Sequence, residues 1–208
     1  TLDVLHEPDR SMTTSRVVIV GAESTGTTTL TEELCRLYQS RGGAYATTTW
    51  VPEFGRDYTY RKLHELQRSR PDATMDDVVW TDEDFRVIAK EQNWLEETAA
   101  EISGPLLLCD TDAFATAIWQ ERYLGHISDE VRDLTFAAPR ALYIVTSHRG
   151  VEFDADEIRD GEHLREWMTH RFCEELRARS TPWMELDGHD HHNRLALAVS
   201  AIDQVLAS

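Results

Sequence analysis

Lysine is almost missing from this chain. Of 21 basic residues among 208, only Lys62 and Lys90 are lysines, so arginine must supply nearly all positive charge near any bound phosphate. Positive charge of either kind is short. The 38 acidic residues outnumber the 21 basic ones and leave a formal net charge of −17. No basic patch interrupts that surplus, which argues against nucleic acid and anionic membrane as partners. Cysteine is scarce and scattered, at Cys35, Cys109 and Cys173. Without a C-x-x-C pair there is no disulfide framework, and the thiols read as small buried side chains in a reducing cytoplasm. No apolar run approaches the length of a membrane span, and none reads as a signal peptide. His189-Asp190-His191-His192 lacks both helical i, i+4 spacing and a supporting distant ligand, so it reads as a solvated turn rather than a metal site.

What the chain does contain is ordinary for a folded domain. Hydrophobic residues are 41% and charged residues 28%, enough for one substantial core. Residues 1–15 are polar and unpatterned and read as a flexible leader, and 16–208 as a single domain without internal repeats.

The sharpest signal lies at residues 17–30, Val-Val-Ile-Val-Gly-Ala-Glu-Ser-Thr-Gly-Thr-Thr-Thr-Leu. A short apolar strand runs into Gly21. Gly21, Gly26 and Thr28 then occupy the fixed positions of a phosphate-binding G-x-x-x-x-G-K-[ST] loop, but Thr27 stands in the lysine slot. Such a loop wraps phosphates in backbone N–H groups and aims the positive end of the next helix at them. Gly21, Glu23, Ser24, Thr25, Gly26, Thr27, Thr28 and Thr29 are the expected nucleotide cradle, with the Thr28 hydroxyl on Mg²⁺. A glycine turn in an unrelated α/β domain does not explain why both glycines and Thr28 keep register.

Apolar segments alternate along the rest of the chain. Helical spacing covers 27–40, and Arg41-Gly42-Gly43 stops it. Residues 44–51, rich in Thr, Tyr and Trp, suit a strand that Pro52 ends. A polar loop is expected at 68–78, then a long helix from the Thr81 cap to about 102. Strands are expected at 106–109, 141–145 and 183–186, and helices at 113–123, 129–136, 163–179 and 193–206. Residues 148–162 are charged and irregular. This pattern predicts an α/β fold, a central parallel sheet of about five strands with helices on both faces. Ligands in such sheets bind at the carboxyl ends of the strands.

Polar clusters sit at those ends. Asp110 closes an apolar strand, where an acid holds Mg²⁺ directly or through water. Asp112 either reaches a substrate hydroxyl or caps the next helix. Glu53, after the second strand, is placed to accept a proton from an attacking hydroxyl or to hold a sugar, with Arg56 on a phosphate or orienting Glu53. The bland alternative for that pair is an exposed i, i+3 ion pair. Trp50 and Tyr58 are candidates to stack on an aromatic ring. Residues 149–171 carry Arg149, Arg159, Arg165 and Arg171 and read as an arginine-bearing lid. Arg159 or Arg165 is the candidate replacement for the missing lysine.

Taken together, Gly-Ala-Glu-Ser-Thr-Gly at 21–26, Trp-Val-Pro-Glu-Phe-Gly-Arg-Asp-Tyr at 50–58, Ile-Ala-Lys-Glu-Gln at 88–92 and Cys-Asp-Thr-Asp at 109–112, with Trp119 beyond, resemble the ribosylnicotinamide kinase domain of NadR-type NAD-salvage proteins. The resemblance spans about residues 16–205 and implies a P-loop kinase fold. It implies transfer of the γ-phosphate of ATP, with Mg²⁺, to the 5′-hydroxyl of nicotinamide riboside. Gly21 to Thr29 would then cradle ATP, and Glu53, Arg56, Asp110 and Asp112 would line the metal and ribose side. The family's Pro-Trp and Asp-Gly-x-Arg around the lid are here Glu152-Phe153 and Asp156-Glu157-Ile158-Arg159. Two other readings stay open: a kinase for another nucleoside or sugar-like metabolite, and a nucleotide-binding sensor without turnover. Homo-oligomerisation is left open.

Overall fold

The computed structural model describes residues 14–188 and 190–207. Most of the expected leader, at 1–13, and His189 of the histidine-rich turn lie outside the described residues.

Five strands form one parallel sheet in the order β2-β3-β1-β4-β5. They are β1 (Ser15–Gly21), β2 (Thr49–Val51), β3 (Leu106–Asp110), β4 (Leu142–Thr146) and β5 (Trp183–Leu186). Side chains along a strand alternate between the faces, and β1 shows the consequence. Val18 and Val20 pack with Phe114, Ile118, Met168 and Phe172 on one face. Val17 and Ile19 pack with Leu30, Leu34, Tyr38, Ala198 and Ile202 on the other. Helices α3 (Asp82–Ala100), α4 (Ala113–Leu124) and α6 (Arg165–Arg177) cover the first face, and α1 (Thr27–Ser40) and α7 (His191–Leu206) the second. Both faces being covered, the central strands need apolar residues at every position, which is why they read as unbroken runs.

Three local expectations are corrected. Only Thr49–Val51 of the 44–51 segment is strand, and Gly43–Thr47 winds into a 3-10 turn. Gly42 and Gly43 take positive φ, and Tyr45 N donates to Gly42 O, so the backbone bonds locally instead of extending the sheet. The segment after Pro52 is a helix, α2 (Phe54–Ser69), that periodicity alone does not announce because only Leu63 on it is fully buried. The expected loop at 68–78 is therefore shorter and contains a 3-10 turn at Met75–Asp77. Helix α5 (Asp129–Leu134) stops before Phe136, which takes a positive φ of 55°. Thr81 caps α3 as expected, through a reciprocal box with Asp84.

Candidate active site

Parallel pairing sets Ile19 of β1 opposite Asp110 of β3, and Gly21 opposite Thr146 of β4. The loop 21–26 therefore emerges at the carboxyl edge of the sheet centre. Gly21 is required there by close approach. A Cβ on it would lie 2.2 Å from the Thr146 hydroxyl and 2.4 Å from that of Thr25. Gly26 is required by conformation, with φ at 83° just before α1. Ser24 takes φ 55°. Thr25 braces the turn, donating to Ala22 O at 2.7 Å and sharing a hydrogen with Thr146 Oγ1 at 2.7 Å.

Beside the loop stand two acids with unusual titration. Thr28 Oγ1 donates to Asp110 Oδ2 at 2.5 Å. Asp110 Oδ1 is buried and has no hydrogen-bond partner. Burial pushes the Asp110 carboxyl up to about 6, against the opposing hydroxyls of Thr28 and Thr27. Glu53, on the residue that precedes α2, is pushed up to about 8 by burial first and then by the Asp110 charge. Arg56 pulls it back, Glu23 adds to the rise and Arg159 opposes it. Thr111, next to Asp110, holds φ 65° while its N–H bonds Ile19 O at 2.9 Å. A β-branched residue in that region is strained, and such strain gathers at functional sites.

A hard divalent cation fits this corner. Mg²⁺ takes one or two protein oxygens and completes its shell with water and substrate phosphates. An unpartnered buried carboxylate oxygen beside a hydroxyl is that donor set. No cluster of three or more His, Cys, Asp or Glu residues able to hold a metal occurs among the described residues.

Glu53 lines a cavity with an empty volume of about 920 Å³, mouth included, and Asp110 stands behind the Thr28 that lines it. Gly21, Ala22, Thr27 and Thr28 form one side, and Trp80, Phe85, Trp119 and Tyr123 an aromatic wall. Trp80 lies 5.3 Å from Phe85 and 5.1 Å from Tyr123, centroid to centroid. Two donors of wall residues, Trp80 Nε1 and Trp119 Nε1, are buried without an acceptor, and Gln92 Nε2 has none in good geometry although it is directed at the Glu96 carboxylate. Gln92 is 1% exposed, and its oxygen already accepts from Phe54 N at 2.9 Å.

The arginine-bearing segment is seated on the loop. Ser24 Oγ donates to Asp154 O at 2.9 Å, and Gly161 N donates to Glu23 Oε2 at 2.8 Å. Arg122 clamps both, bonding Glu23 Oε1 at 3.1 Å and pairing with Asp160. Arg159 and Arg56 line the cavity, and both pair with Asp156. Arg165 donates to Ser24 O at 3.0 Å, so it holds the loop rather than lining the cavity. Arg149 pairs with Glu185 and Asp187, and Arg171 with Glu121, Glu174 and Glu175, both away from the site.

Thus Glu23, Ser24, Thr27, Thr28, Glu53, Arg56, Asp110 and Arg159 come together. Besides Arg165, which holds the loop, four expectations do not hold. Asp112 is fully buried. It caps α4 through Ala115 N, accepts from Tyr143 at 2.7 Å and pairs with Arg140, which also pairs with Glu96. No oxygen is left for a substrate hydroxyl, and the capping reading is correct. Trp50 turns to the opposite face of the sheet and packs against the α1 and α7 core. Tyr58 donates to Asp84 at 2.7 Å and packs on Phe54, outside the cavity. Thr29 is exposed on α1, outside the cavity. Sequence reading missed Arg122, whose only signal is its place one helical turn beyond Trp119. It also missed Trp80, Phe85 and Tyr123, which look like core aromatics at helical spacing.

The model of an AAA domain family matches residues 16–194, and the chain belongs to that family. No curated protein matches. Among solved structures, the chain is similar to NadR protein in complex with NR, with a TM-score of 0.66 and 17% identity over 94% of this chain and 52% of that one. NadR protein in complex with NAD and AMP-PNP gives 0.63 and 16% over 94% and 50%. Thymidylate kinase from Ehrlichia chaffeensis gives 0.59 and 14% over 92% and 98%. These likenesses establish a P-loop kinase fold, and the chain spans about half the length of the NadR chains it matches. Among the described residues no helix is long and apolar enough to cross a membrane.

Proposed function

We propose that this protein is a Mg²⁺-dependent kinase that transfers the γ-phosphate of ATP to the 5′-hydroxyl of nicotinamide riboside. The observation that carries the reading is the placement of Glu53 in a cavity walled by the phosphate loop on one side and by aromatic rings on another, with Asp110 hydrogen-bonded to Thr28 of that loop side. The cavity's two unpartnered indole N–H groups are both donors. Its occupant therefore brings acceptors, as ribose hydroxyls and a carboxamide oxygen do, together with a flat ring for the aromatic wall. The NadR fold likeness and the four matching sequence stretches support the acceptor assignment.

Residues of the chain divide the work. The amides of loop 21–26 and the positive end of α1 hold the triphosphate. Thr28 and Asp110 would hold Mg²⁺, which supplies charge neutralisation on the phosphates when bound. Glu53, whose pKa is raised to about 8, takes the proton of the 5′-hydroxyl in its ionised form, a fraction that grows as the pH rises toward 8. The hydroxyl oxygen forms its bond to the γ-phosphorus as the bond to the β-phosphate bridge oxygen breaks, and ADP leaves. Arg56 and Arg159 face the cavity where charge builds. The lid, already seated on Glu23 and Ser24, excludes water.

The test is product analysis with ATP across a panel of ribosides. Phosphorylation of nicotinamide riboside in preference to the others is the expected result. Transfer only to another riboside reassigns the acceptor, and ATP binding with no transfer to any acceptor replaces the kinase with a sensor.

A further inference from the structure

We propose that Arg194 is the cation that holds the phosphate chain of a nucleoside triphosphate in place of the loop's missing lysine. Arg194 stands in the first turn of α7, outside the acceptor cavity. It is 7% exposed. Its Nη2 is buried with no partner, and no described residue accepts a hydrogen bond from its guanidinium. Nη1 lies 4.0 Å from the position a Cβ would take on Gly26, where the phosphate loop becomes α1.

Two positive features thus converge without an ion pair from a described acid to Arg194. The amino end of α1 carries a partial positive charge. α1 has no acid in its first turn, and the acid at the start of α7, its cap Asp190, is engaged by Asn193 N at 3.2 Å. Asp187 is the one carboxylate whose field favours the Arg194 charge, and Asp187 is engaged by Arg149 at 3.0 Å. A buried guanidinium without a counterion is costly to keep. A helix start with free amides and a cation beside it is an anion site.

The other arginines near the loop are committed. Arg159 pairs with Asp154 and Asp156, Arg56 with Asp156, and Arg122 with Glu23 and Asp160. Arg165 keeps a buried unpartnered Nε, but its fork is anchored on the Ser24 carbonyl. Arg194 alone among these five has no side-chain or backbone acceptor among the described residues. The acceptor enters from the aromatic cavity and the donor's phosphates from the Gly26 side, so the two substrates approach the loop from different directions.

This assignment rests on the kinase reading, and the experiment separates the two. Calorimetry on the intact chain measures binding of MgATP, tripolyphosphate, adenosine and nicotinamide riboside, for wild type, Arg194→Met and Arg194→Lys. Arg194→Met raises the dissociation constants of MgATP and tripolyphosphate about 30-fold, as expected for a lost charged hydrogen bond. Adenosine and nicotinamide riboside affinities stay unchanged, and Arg194→Lys recovers most of the loss. The ligand-free melting temperature of Arg194→Met does not fall, because the residue it replaces has no partner to lose. An unchanged MgATP affinity in Arg194→Met overturns the assignment while leaving the kinase intact. A lower ligand-free melting temperature with equal loss of all four ligands also overturns it, by making Arg194 structural. Wild type binding neither MgATP nor tripolyphosphate ends the kinase reading and this assignment with it.

Discussion

Glu53→Gln tests the titration that the mechanism needs, and its consequence is read without substrate. The folded protein holds the Glu53 carboxyl at about 8 against an ordinary 4.5. A raised acid binds a proton in the folded state that the unfolded chain has released. Stability from this group is therefore full below pH 4.5, falls as pH rises, and is gone above about 8. The ceiling on the loss is about 5 kcal/mol. Glu53 keeps partial exposure at the cavity, and solvent screening reduces the expected loss to about 2 kcal/mol. For a chain of this length that is a fall of about 4–8 °C in melting temperature. Glutamine has the same shape and no charge at any pH. The variant and the wild type should melt together near pH 5, and the variant should melt about 4–8 °C higher near pH 9. Asp110, raised from 3.8 to about 6, adds its own loss at the acid end in both proteins, so it cancels in the difference. The same substitution should lower kcat by about 10²–10⁴-fold, the range for a lost general base. Parallel melting curves from pH 5 to 9 would refute the reasoning, because the carboxyl would then not carry a raised pKa.

Gln92→Leu removes a buried donor from the cavity wall, together with the acceptor of Phe54 N, while keeping volume. KM for the acceptor should rise about 10–100-fold, the cost of one buried hydrogen bond, with KM for ATP unchanged in steady-state assays. Asp112→Ala should cost about 3–5 kcal/mol in chemical denaturation, because Arg140 and Tyr143 lose a fully buried partner. A stability loss under about 1 kcal/mol there would return Asp112 to the candidates for substrate contact.

The sheet was legible because its strands are buried on both faces and so are unbroken apolar runs. Val17 to Val20 and Leu106 to Cys109 leave no other reading. The loop was legible because its glycines answer to backbone constraints that no other residue meets. The acceptor wall was not. Trp80, Phe85 and Tyr123 occupy helix and cap positions that a core also uses, and only their tertiary meeting around Gln92 distinguishes them. Asp112 and Trp50 failed for a related reason. Composition marked a strand at Trp50, but not which face of the sheet held the site, and Trp50 falls on the other one. Asp112 follows a positive-φ residue, Thr111, whose turn directs it inward to Arg140 rather than outward to the cavity.

The loss of the lysine is tied to Asp110 through Thr27. The hydroxyls of Thr27 and Thr28 both favour the Asp110 carboxylate, yet hydroxyls bring no net charge. An ammonium at position 27 would sit beside Asp110, hold it ionised and compete for the oxygen that a metal needs. With threonine there, Asp110 Oδ1 stays unpartnered, and its elevated pKa lasts only until a cation arrives. The acid is thus left to the metal that comes with the triphosphate. On the proposed reading the corner would bind metal and nucleotide more tightly together than either alone, since each would supply charge that the other lacks. The remaining demand is for positive charge on the phosphates themselves, and it passes to arginines on other elements. On the proposed reading that cation is Arg194 of α7, since Arg159 and Arg165 of the lid are already held by Asp154, Asp156 and the Ser24 carbonyl.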